Sequence, residues 1–169
     1  MVEGFLPIAT EGIILPKLHH HRSVVSLPES LHVSKSIRKK SKKYRLTINQ
    51  CFDRVVEGCR RQHGPRCWLY PELVRVFKEI HDAGQLNSVV VHSNTNHLAA
   101  GELGYTVGSI YTSLTGFSAE NSAGSVQLAA LGRLLSTLHF SMWDLGMGGA
   151  GMEYKQNLGS HLLKRDDFV

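Results

Sequence analysis

The sequence predicts an α+β domain, and three features of one stretch predict it. LAAGELGYTVGSIYTSLTGF, residues 98–117, holds two runs rich in Tyr, Val, Ile and Thr, broken at Gly104 and Gly108. That is the pattern of a hairpin whose glycines supply the turn. From Ala123 the apolar residues return as Val126, Ala130, Leu131, Leu134, Leu135 and Leu138, the 3.6-residue spacing of a helix with one face for a sheet. FSMWDL, residues 140–145, then reads as a short buried strand. A strand pair, a helix and a returning strand make the core of an α+β acyl-transfer fold, with Asp144 at the end of the last strand.

A chain of 169 residues suggests one domain, or one domain with a small appended lobe. The boundary is expected near residue 45, with a small lobe and basic segment in 1–45 and the larger domain in 46–169. The apolar runs fall far short of the roughly 18 residues that a spanning helix needs, so no membrane is expected. The start lacks a basic n-region and an apolar h-region, which points to the cytosol. Cys51, Cys59 and Cys67 form no C-x-x-C pair and are odd in number, so they read as buried thiols rather than a disulfide framework or zinc site.

Residues 1–27 read as strand and loop, with prolines excluding a helix. Adjacent residues on an extended chain point to opposite faces, so His19, His20 and His21 read as a solvated run and not a metal site. The next segment is the most charged in the chain. Lys35, Arg38, Lys39, Lys40, Lys42, Lys43 and Arg45 fall within eleven positions with no acid among them. Their mutual repulsion is most easily offset by a polyanion such as RNA phosphate, and the pI of about 9.2 agrees with an anionic partner. YRLTINQ follows as a strand. CFDRVVEGCRRQ reads as a helix with Phe52, Val55, Val56 and Cys59 on one face, ended by His63-Gly64-Pro65. Pro71 suits the first turn of a helix that runs to a stop at Gly84, SVVVHS is a strand, and NTNH a polar turn.

Several of these segments together resemble the leucyl/phenylalanyl-tRNA-protein transferases. They are PESLHVSKSIRK (Pro28 to Lys39), Phe52, Val55 and Cys59, Trp68 in CWLYPELV, and the helix ending IHDAG. Further on they are Gly101, Gly104, Gly108, Phe117-Ser118, Asp144, Leu158-Gly159 and Arg165 to Asp167. The resemblance runs from about Gly4 to Phe168. It implies a GNAT-like acyltransferase fold and transfer of an aminoacyl group from charged tRNA to the N-terminal amine of an acceptor protein, marking it for degradation. No metal or CoA is implied. By family position Asp144 is the catalytic carboxylate, Trp68 and Phe77 lie near the aminoacyl or terminal-adenosine site, and the basic run Lys35 to Arg45 binds the tRNA.

The chain departs from the family pattern at several of these positions. Gly146 stands where the family has a glutamine two residues after the carboxylate, and Ser113 to Phe117 replace G-E-S-M-F, so that Leu114 stands for an acid. A family tryptophan pair near the N-terminus is missing, and Phe77 replaces a tyrosine. In the family's amino-acid pocket, Glu102, Gly116, Leu131, Leu135 and Trp143 stand for methionine, methionine, two phenylalanines and isoleucine. If Glu102 faces that pocket it favours a basic or polar side chain over leucine, because a lone buried charge needs a partner. If it lies on the outer face of an alternating strand it meets solvent.

Three other readings compete. Gly146, Gly148 and Gly151 spell G-x-G-x-x-G, but too little chain follows for a dinucleotide unit, and a loop beside Asp144 is simpler. An acyl-CoA-dependent N-acyltransferase would place a phosphate-binding loop at Asn121-x-x-Gly124-x-Val126, which lacks the basic residue and second glycine. A non-catalytic RNA-binding adaptor would keep the basic segment and lose the active-site residues.

Overall fold

A computed structural model of the chain describes residues 5–148 and 151–167. The ends of the resemblance, Gly4 and Phe168, lie outside the described residues. A first hairpin pairs β1 (Phe5–Thr10) with β2 (Ile13–Leu18), turning at Glu11 and Gly12, both at positive φ. Then come β3 (His21–Ser26), α1 (Lys35–Ser41), β4 (Tyr44–Ile48), α2 (Phe52–His63) and α3 (Pro71–Asp82). The chain continues as β5 (Leu86–Ser93), β6 (Leu98–Val107), β7 (Ile110–Ser118), α4 (Ala123–Thr137), β8 (Met142–Asp144), α5 (Glu153–Asn157) and β9 (His161–Lys164).

Strands β3 to β9 form a seven-stranded sheet in the order β4-β5-β6-β7-β8-β3-β9. The expected strand, turn, strand, helix and strand from Leu98 to Asp144 are β6, β7, α4 and β8, and the fold is the expected α+β class. The glycines divide their work differently from the expectation. Gly108, at positive φ, makes the turn, whereas Gly104 lies inside β6 beside a bulge, where a Cβ would run into the Tyr111 hydroxyl. The boundary expected at residue 45 is not where the sheets divide, because β3 is inserted between β8 and β9 of the main sheet. The hairpin β1–β2 forms the smaller sheet.

Helices cover both faces. Phe52, Val55, Val56, Cys59, Leu73 and Phe77 from α2 and α3 pack on Val90, Leu103 and Phe117. On the other face, Leu131 and Leu135 of α4 pack with Val89, Tyr111 and Trp143. Each fully buried aliphatic side chain contributes about 1.5–3 kcal/mol by leaving water. Cys59 and Cys67 are buried thiols as expected, while Cys51 is half-buried. Burial pushes the Cys59 thiol up to about 12, so it is inert. Among the described residues, no helix is long and apolar enough to cross a membrane.

One register decides where a site forms. β7 and β8 run parallel, and they pair only over Ile110–Thr112 and Met142–Asp144. Beyond that point β8 has ended, while β7 continues to Ser118. The gap beside the second half of β7 leaves main-chain groups on that edge in need of partners.

Candidate functional site

A cavity of about 730 Å³ fills this gap. Its floor is β7 from Ser113 to Ser118, with Glu102 from the neighbouring β6. Leu145, Gly146 and Met147 after β8 form the opposite wall, with Tyr154 and Lys155 of α5 behind them. Leu6, Ile8, Lys17 and His19 close one side, Gln62, His63 and Trp68 another, and Ser122, Gly124, Ser125, Gln127 and Leu128 at the start of α4 a third. Some of the β7 edge is already satisfied. His63 Nε2 donates to the Gly116 carbonyl at 3.0 Å, since a carbonyl only accepts, and the Ser118 N–H donates to Gln62 Oε1 at 2.8 Å.

The carboxylate expected to be catalytic lies behind the wall, not on it. Asp144 is 1 % exposed, and Arg22 of β3 grips it through Nε on Oδ1 at 3.1 Å and Nη2 on Oδ2 at 2.5 Å. The Gly146 N–H donates to Oδ1 at 2.7 Å, and Thr112 Oγ1 reaches Oδ2 at 3.4 Å. Those bonds fix the start of the wall loop, while the residues that line the cavity are the next three, Leu145 to Met147. Gly146 is at φ 80°, a conformation that a side chain in the family's glutamine position would strain.

The expected amino-acid pocket separates into two groups. Trp68, Glu102 and Gly116 line the cavity. Phe77, Leu131, Leu135 and Trp143 are instead packed in the core, as the apolar faces of their helices and sheet require. Phe77 still acts on the site, because its ring supports Trp68 edge to face at 6.1 Å. Arg60 fixes the same segment by donating Nε and Nη2 to the Leu69 carbonyl at 3.1 and 2.9 Å. Leu114, in the position of the family's acid, also lines the cavity.

Glu102 faces inward and is 3 % exposed. Ser113 Oγ donates to its Oε1 at 2.7 Å, Tyr111 Oη to the same oxygen at 3.2 Å, and Gln127 Nε2 to Oε2 at 2.9 Å. Trp143 Nε1 in turn donates to Ser113 Oγ at 3.0 Å, which orients that hydroxyl toward the carboxylate. All these partners are neutral, and burial pushes the Glu102 carboxyl above its usual range.

Two cavity residues had no signal in the sequence. His19 is not part of a solvated run: His20 and His21 are exposed, but His19 is 7 % exposed, and neither ring nitrogen has a hydrogen-bond partner among the described residues. Burial, then the charges of Arg22 and Lys17, push its pKa below the ordinary imidazole value. Lys155 is 5 % exposed and donates Nζ to the carbonyls of Leu145 (2.6 Å) and Met147, pinning the loop on both sides of Gly146. Burial lowers its pKa to about 8.

The basic run lies at the rim. Ser34 caps α1 by accepting from the Ile37 N–H at 3.3 Å, and Ile37 faces Leu128 of α4 across a second, smaller cavity of about 310 Å³. Lys35, Arg38, Lys39, Lys40, Lys42, Lys43 and Arg45 are all exposed. Lys40 Nζ donates to Ser122 Oγ at 2.7 Å, and Ser122 is itself part of the cavity wall. A field that attracts polyanions therefore opens directly onto the cavity.

Residues 25–169 match the model of a family described as leucyl/phenylalanyl-tRNA protein transferase. The chain belongs to this family. A leucyl/phenylalanyl-tRNA–protein transferase of Shewanella baltica is 30 % identical over 149 residues, 86 % of this chain and 61 % of the relative. One from Maricaulis maris is 29 % identical over 173 residues, covering 98 % of this chain and 77 % of the relative. The chain thus spans 61 % of the length of the Shewanella transferase. Among solved structures, FemX superposes with a TM-score of 0.66 at 11 % identity, covering 96 % of this chain and 63 % of FemX. L-PGS from Bacillus licheniformis superposes with a TM-score of 0.59 at 10 % identity, covering 89 % of this chain and 61 % of that one. At these identities the likeness is one of fold, and it agrees with the GNAT-like α+β fold expected of the transferase family.

Proposed function

We propose that this chain transfers an aminoacyl group from a charged tRNA to the N-terminal amine of an acceptor protein, in the cytosol, giving a product marked for degradation. The observation that carries the reading is a basic helix tied to the rim of a deep cavity, in a chain of this family. The exposed lysines and arginines of α1 hold the tRNA backbone, and the aminoacylated end enters the cavity beside Trp68.

The reaction is aminolysis of an ester. The neutral acceptor amine attacks the aminoacyl carbonyl, the C–N bond forms, and the bond from the carbonyl carbon to the 3′-oxygen breaks. The attacking nitrogen must lose one proton and the departing 3′-oxygen must gain one. His19 is suited to carry it, because an imidazole held below its ordinary pKa, with no hydrogen-bond partner among the described residues, offers an acceptor nitrogen near pH 7. Asp144 acts at one remove from the reacting atoms. Through Arg22 and the Gly146 N–H it positions the wall against which the ester lies.

A panel of labelled aminoacyl-tRNAs, with acceptor proteins carrying basic or acidic N-termini, tests this. Transfer is expected from at least one tRNA. His19→Ala should lower kcat by about 10²–10⁴-fold with little change in tRNA affinity. Lys39→Ala, Lys40→Ala and Lys43→Ala together should weaken tRNA binding and reduce the salt slope by about one for each phosphate that is no longer neutralised. Steep, salt-sensitive tRNA binding without transfer from any tRNA would instead support the adaptor reading, which Gly146 and Leu114 favour.

A further inference from the structure

Glu102 is the one acidic side chain among the described residues that line the cavity, whose other charges, on Lys17 and Lys155, are basic. Its surroundings leave its charge incomplete. A carboxylate has about four acceptor positions, and Ser113, Tyr111 and Gln127 fill three of them with neutral donors. No cation among the described residues forms a salt bridge with it. These donors need an acceptor at that position but not a charge, since a glutamine oxygen could accept there without desolvating a carboxylate.

Glu102, though 3 % exposed, lines the cavity. Its direct neighbour across β6 and β7 is Gly116, which lines the cavity as well. A Cβ built on Gly116 would stand 3.1 Å from Glu102 Cβ and 2.9 Å from the Gly101 carbonyl. With no side chain there, Glu102 and Gly116 form that part of the cavity lining together. A buried carboxylate with one acceptor position left, beside a glycine, at the floor of a cavity, is a receptor for a cation that brings its own apolar stem.

We propose that Glu102 forms the base of the side-chain subsite and that this subsite takes a cationic aminoacyl group, arginyl or lysyl. The inference rests on the transferase reading. A guanidinium or ammonium reaching Glu102 supplies the missing donor and the counter-charge together, while its methylenes lie along the β7 floor. A leucyl or phenylalanyl side chain would cover the carboxylate and offer it nothing.

Binding of stable 3′-amide analogues of aminoacyl-adenosine carrying arginine, lysine, leucine or phenylalanine, measured by calorimetry on the intact chain, separates this inference from the reading beneath it. All four analogues share an α-amino group, so a difference among them belongs to the side chain. Wild type should favour the arginyl and lysyl analogues on the order of 30-fold or more. Glu102→Gln, which keeps the shape and melts like wild type or higher, should abolish that preference, and Glu102→Met should reverse it. Equal binding of all four analogues, weakened uniformly by Glu102→Gln, would assign the carboxylate to the α-ammonium and overturn the proposal. A leucyl or phenylalanyl preference in wild type, or no binding by any analogue, would overturn it too. Failure of every aminoacyl-tRNA in the transfer assay, alongside a basic preference in binding, would count against the transferase reading alone.

Discussion

Asp144 and Glu102 are equally buried carboxylates on the two strands that flank β7, yet they are completed in opposite ways. Thr112 of β7 touches Asp144, whereas Tyr111 and Ser113 on either side of it touch Glu102, so strand alternation puts the two acids on opposite faces of one sheet. Asp144 has a guanidinium across two bonds and a main-chain N–H besides. Glu102 has hydroxyls and an amide. Burial alone therefore says little about what an acid does. The sign of its partners decides whether it closes a structure or stays receptive to a ligand.

The largest effect should come from the completed pair. Asp144→Asn removes the carboxylate charge on which two nitrogens of the buried Arg22 guanidinium, 1 % exposed, are seated, and should cost about 3–5 kcal/mol of stability in urea unfolding. Arg22→Met combined with Asp144→Leu should recover most of that loss, because an apolar pair carries no desolvation cost. A double variant as unstable as Asp144→Asn would mean that the pair is not what holds this corner.

An intermediate effect is expected from Lys155→Met, which strips the Leu145 and Met147 carbonyls of their donor and should cost about 1–3 kcal/mol. Its pKa of about 8 lies below the 10.5 of a free lysine, so its contribution is complete above the free value and is lost as pH falls through 8. The loss caused by Lys155→Met should thus be larger at pH 10 than at pH 7. Equal losses at both pH values would mean that the amine keeps its charge.

Glu102→Gln should have the smallest effect, and of the opposite sign. The folded carboxyl titrates above its free value, so the native state binds more protons and stability falls as pH rises through that folded pKa. In the absence of ligand, Glu102→Gln should therefore raise Tm by on the order of a few degrees at pH 8 and by less at pH 5. A loss of stability at pH 8 would show that Glu102 is as fully compensated as Asp144.

Order along the chain was readable, and long-range pairing was not. Apolar spacing located α2, α3 and α4, and the β-branched runs located β5, β6 and β7, because those signals are local. The same spacing could not tell a pocket wall from a core. Leu131 and Leu135 have the identical signature whether a helix face meets a ligand or a sheet. His19 shows the reverse failure, since a histidine among histidines looks solvated until a cavity closes over it. The bond between Arg22 and Asp144 spans 122 residues, a separation at which no local pattern operates. Glu102 could be singled out only by family position, and alternation left its face open until the bulge in β6–β7 set the register.

The place of β3 has a consequence for how the molecule is made. A chain leaving the ribosome can pair β6 with β7 at once, since the hairpin is local. β3 has β8 and β9 as its neighbours in the sheet, and the partner of Arg22 emerges 122 residues later. Until then Val24 and Val25, both fully buried in the finished sheet, belong to a strand without neighbours, the kind of edge that invites aggregation. Leu145 to Met147, and then Tyr154 and Lys155, which line the cavity, come still later in synthesis. β6, β7 and α4 are made before the residues that complete the cavity, so the site is assembled only once α5 has followed β8.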